Sequence, residues 1–224
     1  MRRLTAGLRR ETCFHEAGHA VAFALGGIPV LKLAVAPEGA DGWRTDIRTG
    51  RCCTDLWGLC EKADLVFPRP FLRWLGSEGA LHPDGRGFEA VLDTPVGQAQ
   101  LEGFSAAHRR EIRAHAAGLL GGPVAERIHS GEKGDLHGRT DLGDVARAAA
   151  LCRLLTERDA FAGALAQAEE ALRRPGVWDH VARLAAVLER EGEIRDGLRT
   201  LLPAAIPHWP AAGAARRSMP PPQV

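Results

Sequence analysis

Residues 15–25 of the chain, HEAGHAVAFAL, determine how the rest of the sequence is interpreted. His15 and His19 are four residues apart, a spacing that places two side chains on the same face of an α-helix, about 5–6 Å apart at Cβ. The segment from Leu8 to Leu25 has apolar side chains at helical spacing, and a pair of glycines follows it as a stop signal. The sequence therefore predicts a helix over Leu8–Leu25 with both histidines on one side.

The pattern H-E-x-x-H is typical of a catalytic zinc site. Zinc accepts neutral imidazole at about 2.0 Å, and a catalytic site combines three protein ligands with a water molecule whose pKa falls towards about 7. Glu16 follows His15 directly and is placed to remove the proton of that water as a general base. We therefore predict that His15 and His19 bind Zn²⁺ and that Glu16 is catalytic.

The remaining pattern predicts a mainly helical domain with a small β element, spanning residues 1–205. Leu31, Leu33 and Val35 alternate with less apolar neighbours and indicate a short strand. Residues 51–104 contain many prolines and glycines and no sustained period, so we expect a loop-rich insertion there. The tail over residues 206–224 is rich in proline and alanine and is expected to be disordered.

Helical spacing returns after the insertion. It runs from Ala106 to Leu120, breaks at Gly121-Gly122 and restarts at Pro123, a residue favoured in a first helical turn. Further helices are predicted over residues 141–157, 161–172, 177–191 and 194–202.

Four segments, in the same order, resemble the peptidase domain of the FtsH family of zinc peptidases. They are HEAGHAVAFAL (15–25), LKLAVAPEGADGWRT (31–45), LLGGPVAERIHSG (119–131) and TDLGDVARAAAL (140–151). The resemblance implies an FtsH-peptidase-like helical fold, a zinc cofactor and a polypeptide substrate. It covers most of the chain outside the insertion.

The resemblance also implies roles for particular residues. Asp141 matches the family's third zinc ligand, and Glu126 matches a glutamate that could orient a zinc-binding histidine. The strand containing Leu33 and Val35 matches the family's strand beside the zinc, which favours a substrate-binding edge with Trp43 as a wall of the cleft.

The residues themselves leave alternatives open. Asp141 is equally suited to cap a helix, with Asp144 completing the capping arrangement. His137 is the best rival for the third ligand, Glu126 can be a surface residue, and the strand can be an ordinary core strand.

The chain departs from the family in its expected partners. Family members carry an ATPase module and a membrane anchor, whereas this sequence contains no G-x-x-x-x-G-K-[ST] phosphate loop. We therefore expect an activity that does not itself use ATP, together with a separate ATPase or a homo-oligomer as partner.

Composition restricts the possible binding partners and the location of the protein. With 29 basic and 28 acidic residues, the net charge recommends neither nucleic acid nor an anionic membrane as partner. No apolar run approaches the roughly 20 residues of a membrane span. Five irregularly spaced cysteines favour reduced thiols and a cytoplasmic location.

Two other functions agree with the same motifs. The chain could be a zinc-stabilised binding or regulatory module that keeps the fold without turnover, or a metal hydrolase acting on another bond. A chelator-sensitive cleavage assay on unfolded protein, ester and amide substrates separates these classes.

Overall fold

The computed structural model describes residues 3–40, 43–47, 51–79, 89–132, 136 and 143–210, with the side chains of 43–47, 51–56, 89 and 90 outside that description. Its helices are α1 (Ala6–Leu25), α2 (Arg69–Ser77), α3 (Glu89–Leu92), α4 (Pro95–Glu102), α5 (Ala106–Ser130), α6 (Gly143–Cys152), α7 (Ala160–Leu172), α8 (Pro175–Glu191) and α9 (Leu198–Leu201). Its strands are β1 (Val30–Val35), β2 (Trp43–Ile47), β3 (Arg51–Leu56), β4 (Gly58–Lys62) and β5 (Glu193–Ile194). The fold is mainly helical with a small antiparallel sheet, as predicted.

Helix α1 is the central element of this fold. The side chain of Thr5 caps it by accepting a hydrogen bond from the Leu8 N–H at 3.4 Å, and the helix ends before Gly26. Between Cys13 and Leu25 most of its residues are buried, because α5, α8 and β1 all pack against it. The helix predicted over Leu8–Leu25 is confirmed and begins two residues earlier.

Helix α5 packs against α1 through glycines. A side chain at Gly121 would overlap the carbonyl of Gly18 and the methyl group of Ala22, and a side chain at Gly18 would overlap the carbonyl of Gly121. The two backbones touch at this point, so the glycines serve helix packing rather than helix termination. The predicted break at Gly121-Gly122 is wrong, and Pro123 is an internal residue of one continuous helix.

Strand β1 is the central strand of a three-stranded antiparallel sheet with the order β4-β1-β5. Leu33 pairs with Cys60 of β4 on one side and with Ile194 of β5 on the other. Strands β2 and β3 form a separate antiparallel pair. The strand predicted at Leu31–Val35 is confirmed, and β4 is the outer strand of its sheet.

The region 51–104 is more regular than expected. Its described part contains β3, β4 and three helices. Phe71, Leu101 and Phe104 from this region pack against Ile112 of α5 and against Leu154, which forms a second apolar cluster beside the main core. The prediction of a loop-rich insertion is therefore wrong for this part of the chain.

The predicted helices after residue 140 are largely confirmed as α6, α7 and α8. The last predicted helix, over residues 194–202, instead consists of β5 and the short α9. Residues 206–210, expected to begin a disordered tail, contact the core: the Ile206 N–H donates to the Leu25 carbonyl at 2.9 Å, and Trp209 packs against the main apolar cluster. Residues 211–224 lie outside the described part. Among the helices described, none has the length and apolar character needed to cross a membrane.

Candidate metal centre

Three side chains from two helices converge at one point. Nε2 of His15 and Nε2 of His19, both on α1, are 3.0 Å apart. Oδ2 of Asp144, in the first turn of α6, lies 3.4 Å from the first nitrogen and 3.2 Å from the second. Among the described residues, these three atoms form a group whose geometry could hold a metal ion.

The spacing of these atoms fits a zinc ion. Ligand atoms about 2.0 Å from a tetrahedral ion are about 3.3 Å from one another. The three observed separations, between 3.0 and 3.4 Å, bracket that value. Two imidazole nitrogens and one carboxylate oxygen also leave a fourth tetrahedral position open, which is the arrangement of catalytic rather than structural zinc sites.

Both imidazoles have hydrogen-bond partners on the ring nitrogen that faces away from the cluster. Nδ1 of His15 lies 3.0 Å from Oε2 of Glu126. Nδ1 of His19 lies 2.9 Å from the carbonyl oxygen of Gly118 and 3.3 Å from the backbone nitrogen of Gly122. With the hydrogen on Nδ1, each ring donates to the Glu126 carboxylate or the Gly118 carbonyl and directs its Nε2 lone pair towards Asp144, where a cation would be bound.

The residues of α5 that contact His19 leave room for its imidazole ring and accept a hydrogen bond from it. A side chain at Gly122 would overlap the imidazole of His19, so only glycine leaves room for the ring. Pro123, inside α5, has no N–H to donate to the carbonyl of Leu119, four residues earlier. The carbonyl of Gly118, which lies in the preceding part of the helix, accepts the proton of His19.

The electrostatics of the cluster favour a positive charge. Burial alone would lower the pKa of His15, but hydrogen bonds to Asp144 and Glu126 raise it to about 10. Burial would raise the pKa of Asp144, but the two imidazoles hold it well below its usual range. The carboxylates thus favour a positive charge at this cluster, which a proton or a metal cation would supply.

Glu16 lies beside the cluster without belonging to it. Its side chain is buried, and burial raises its pKa while the neighbouring His15 and His19 oppose that shift. A side chain at Gly58 would overlap the carboxylate of Glu16, so the backbone of β4 passes directly over this group. Glu16 is therefore a carboxylate held next to the ligand set, with a raised proton affinity that suits a general base.

A cleft of about 540 Å³ contains the cluster. One wall is the face of α1 that carries Glu11, His15, His19 and Phe23. The other wall consists of strand β4 and Trp57, the residue before it. The volume lies within the usual range of about 300–1,000 Å³ for ligand sites. The metal cluster is thus at the middle of a groove that follows α1.

The predicted third ligand was Asp141, which lies outside the described residues together with its rival His137. Asp144, considered only as a capping partner, is the carboxylate that the structure brings to both histidines. Its signal in the sequence was an acidic residue in the first helical turn after a glycine-rich loop. That signal does not distinguish two aspartates one helical turn apart.

Leu33 and Val35, predicted to bind substrate, do not lie on an edge strand. Leu33 and Val35 are buried in the main core, and hydrogen-bonded neighbours occupy both edges of β1. No incoming chain can pair with this strand there, because its backbone groups are already bonded. Trp43 belongs to β2, and its side chain is outside the description. Glu126, predicted to orient a zinc-binding histidine, lies 3.0 Å from Nδ1 of His15.

Neither a family model nor a curated protein matches this chain.

Proposed function

We propose that this chain is a zinc-dependent endopeptidase with an FtsH-like catalytic domain. The observation that supports it most directly is the buried carboxylate of Glu16 beside the ligand set of His15, His19 and Asp144, inside an open cleft. A binding module would need the three ligands, but it would not need a carboxylate with a raised pKa next to them.

Glu16 transfers the protons of the reaction. Zinc, when bound, supplies a Lewis acid that polarises the peptide carbonyl and acidifies water. Glu16 accepts a proton from the attacking water as the water oxygen forms its bond to the carbonyl carbon. It then gives that proton to the leaving nitrogen as the C–N bond breaks, which yields one carboxylate product and one amine product.

Strand β4 is the proposed site for the substrate backbone. The Ala36 N–H donates to the carbonyl of Trp57, and antiparallel pairing alternates from there along β4. The alternation directs the N–H and C=O groups of Gly58 and Cys60 to the outer edge, away from β1. An extended polypeptide can add to this edge and pass the Glu16 carboxylate with its backbone parallel to the groove.

The proposed substrate is an unfolded polypeptide, because only an extended chain fits between β4 and α1. Folded proteins would depend on a separate ATPase or on a homo-oligomer that delivers unfolded segments. The free thiols of Cys13, Cys60 and Cys152 agree with a reducing cytoplasm.

The test is cleavage of an unfolded protein by the zinc-loaded chain, with and without a chelator, beside Glu16→Gln. We expect fragments that appear only with zinc and only with Glu16. A parent protein that holds zinc but cleaves neither unfolded protein nor short peptides would favour the catalytically silent module. Hydrolysis of esters or small amides without peptide cleavage would assign a different metal hydrolase.

A further inference from the structure

One end of the cleft, beyond the metal ligands, combines apolar walls with a cation. Phe23 follows His19 by one helical turn, and the centroids of their rings are 6.3 Å apart. Lys62, the last residue of β4, places Nζ 5.5 Å from the centroid of the Phe23 ring. Leu119 of α5 lines the same end of the cleft.

The ammonium group of Lys62 has unused hydrogen-bonding capacity. It carries three donors, and one of them is directed to the carbonyl of Ala63 at 3.3 Å. Within the described part of the chain, Lys62 forms no ion pair, although it is only partly exposed. By contrast, Lys32 forms an ion pair with Glu193 at 2.8 Å. A partly buried ammonium without a carboxylate partner is costly, and an incoming anion removes that cost.

Charged groups of both signs surround Lys62. Burial lowers the pKa of Lys62, Asp64 opposes this shift, and the positive charge of Arg147 adds to it. Arg147 also lines the cleft. Asp64 and Glu61 are the nearby acidic residues, and both are exposed to solvent, which screens their charges.

The start of the groove has the opposite character. Glu11 precedes His15 by one turn of α1, and Glu126 contacts His15 directly. Beyond the carboxylates of Glu11 and Glu126, the cleft is lined by the cations Lys62 and Arg147 together with the solvent-exposed carboxylates of Glu61 and Asp64.

We propose that Lys62 determines specificity by binding a carboxylate of the substrate, in a subsite formed with Phe23 and Leu119. The inference rests on the proposed peptidase function and names the substrate feature that this function selects. Two sources offer the same chemistry, namely a glutamate or aspartate side chain within the polypeptide and the free carboxylate at its C-terminus. The apolar walls contact the methylene groups of a glutamate, and Lys62 contacts its carboxylate.

Binding tests the proposal without depending on cleavage. Zinc-loaded Glu16→Gln protein is titrated by calorimetry with short peptides in which one glutamate is moved along an otherwise uncharged sequence. Each peptide is paired with its glutamine counterpart, and each is made with a free and with an amidated C-terminus. We expect at least one glutamate position, or the free C-terminus, to bind about tenfold more tightly than its neutral counterpart, the size of one charge-assisted hydrogen bond.

Variants then assign the preference to Lys62. Adding Lys62→Met to the Glu16→Gln protein should reduce the ratio of affinities for the charged and neutral peptides to about one. Lys62→Arg should preserve this ratio, because it keeps the positive charge. Lys32→Met is the control and should leave the ratio as in the parent. Equal binding of charged and neutral peptides by the parent, or an unchanged ratio in Lys62→Met, overturns the proposal.

Cleavage of the same peptides separates the two proposals. The measurement is the ratio of kcat/KM for a carboxylate-bearing peptide to kcat/KM for its neutral counterpart, in proteins that retain Glu16. Cleavage without a preference for carboxylates overturns the assignment of Lys62 and leaves the peptidase proposal standing. A Lys62-dependent binding preference in a protein that cleaves none of the peptides overturns the peptidase proposal and supports the carboxylate subsite.

Discussion

Nδ1 of His15 lies 3.0 Å from Oε2 of Glu126, and this contact joins α1 to α5 directly behind the ligand cluster. Because the carboxylate accepts the Nδ1 proton, it fixes the tautomer of His15 and turns Nε2 towards His19. A second contact, from His19 to the carbonyl of Gly118, does the same for the other ring. Helix α5 thus contacts the Nδ1 atoms of both histidines of the cluster.

Glu126→Gln should lower zinc affinity by about 10- to 100-fold, because an uncharged amide oxygen is a weaker acceptor than a carboxylate and leaves His15 less basic. Competition with a chromogenic zinc chelator measures this change. Glu11→Gln is the matched control, since Glu11 lines the same cleft and is not one of the hydrogen-bond partners of His15. Equal zinc affinities of the two variants would show that Glu126 does not contribute to metal binding.

Asp144→Asn should weaken zinc binding more than Asp141→Asn, by about tenfold or more, because an amide oxygen is a neutral and poorer ligand. The two aspartates are three residues apart, so both replacements have similar effects on the charge at the start of α6. Metal analysis after dialysis against a weak chelator compares them. Zinc loss confined to Asp141→Asn would return the third ligand to the residue that the family resemblance indicates.

Glu16→Gln should keep zinc and the fold while reducing cleavage by about 10²- to 10⁴-fold, the usual contribution of general-base catalysis. The amide has nearly the same size and cannot accept the proton of water. Circular dichroism and metal analysis establish that the variant is folded and loaded, and the rate on an unfolded substrate gives the result. A variant as active as the parent would exclude Glu16 as the base.

Gly58→Ala should reduce cleavage while leaving zinc bound, because the new methyl group would overlap the carboxylate of Glu16. Either the carboxylate or β4 has to move, and both are needed at the proposed reaction site. Gly163→Ala is the control, since an added methyl group at this helical position meets no other atom and should stabilise α7 slightly. Normal activity of Gly58→Ala would show that Glu16 functions in another position.

His115 should make stability depend on pH in the absence of metal. Burial lowers its pKa from 6.5 to about 4, with Lys62 adding to the shift and Asp64 opposing it. The unfolded chain takes up a proton near pH 6.5 and the folded protein only near pH 4, so this contribution is complete above pH 6.5 and is lost as the pH falls towards 4. The loss should approach about 3 kcal/mol in the free energy of unfolding.

Denaturant titrations with a chelator present, at about pH 7.5 and about pH 4.5, measure this dependence. His115→Leu lacks the titrating group and should lose correspondingly less stability over that interval. The difference between parent and variant isolates His115, because the other titrating groups are common to both proteins. Identical pH dependence in the two proteins would show that His115 is protonated alike in the folded and unfolded states.

The sequence contained enough information for the features that depend on local spacing. The four-residue separation of His15 and His19 predicts a shared helix face, and the apolar period around them predicts α1 almost to its ends. The position of Glu16 beside the ligands follows from the same helix. The contact of Glu126 with His15 required the resemblance, because it joins residues 111 positions apart.

Features that depend on packing between distant segments were missed. Gly121 and Gly122 have the local properties of a helix stop, yet close contact with α1 keeps them helical. The contact of Asp144 with His15 and His19 depends on how α6 is oriented relative to α1, which no local pattern specifies. The edge position of β4 follows from strand order, and its residues lay within a region whose prolines and glycines suggested loops.

The separation of His19 from Asp144 by 125 positions also has a consequence during biosynthesis. At translation rates of roughly 5–20 residues per second, the ribosome adds Asp144 about 6–25 s after His19. Throughout that interval the nascent chain contains both histidines of the cluster without the aspartate that joins them in the folded protein. The cluster of His15, His19 and Asp144 therefore assembles only after α6 has left the exit tunnel.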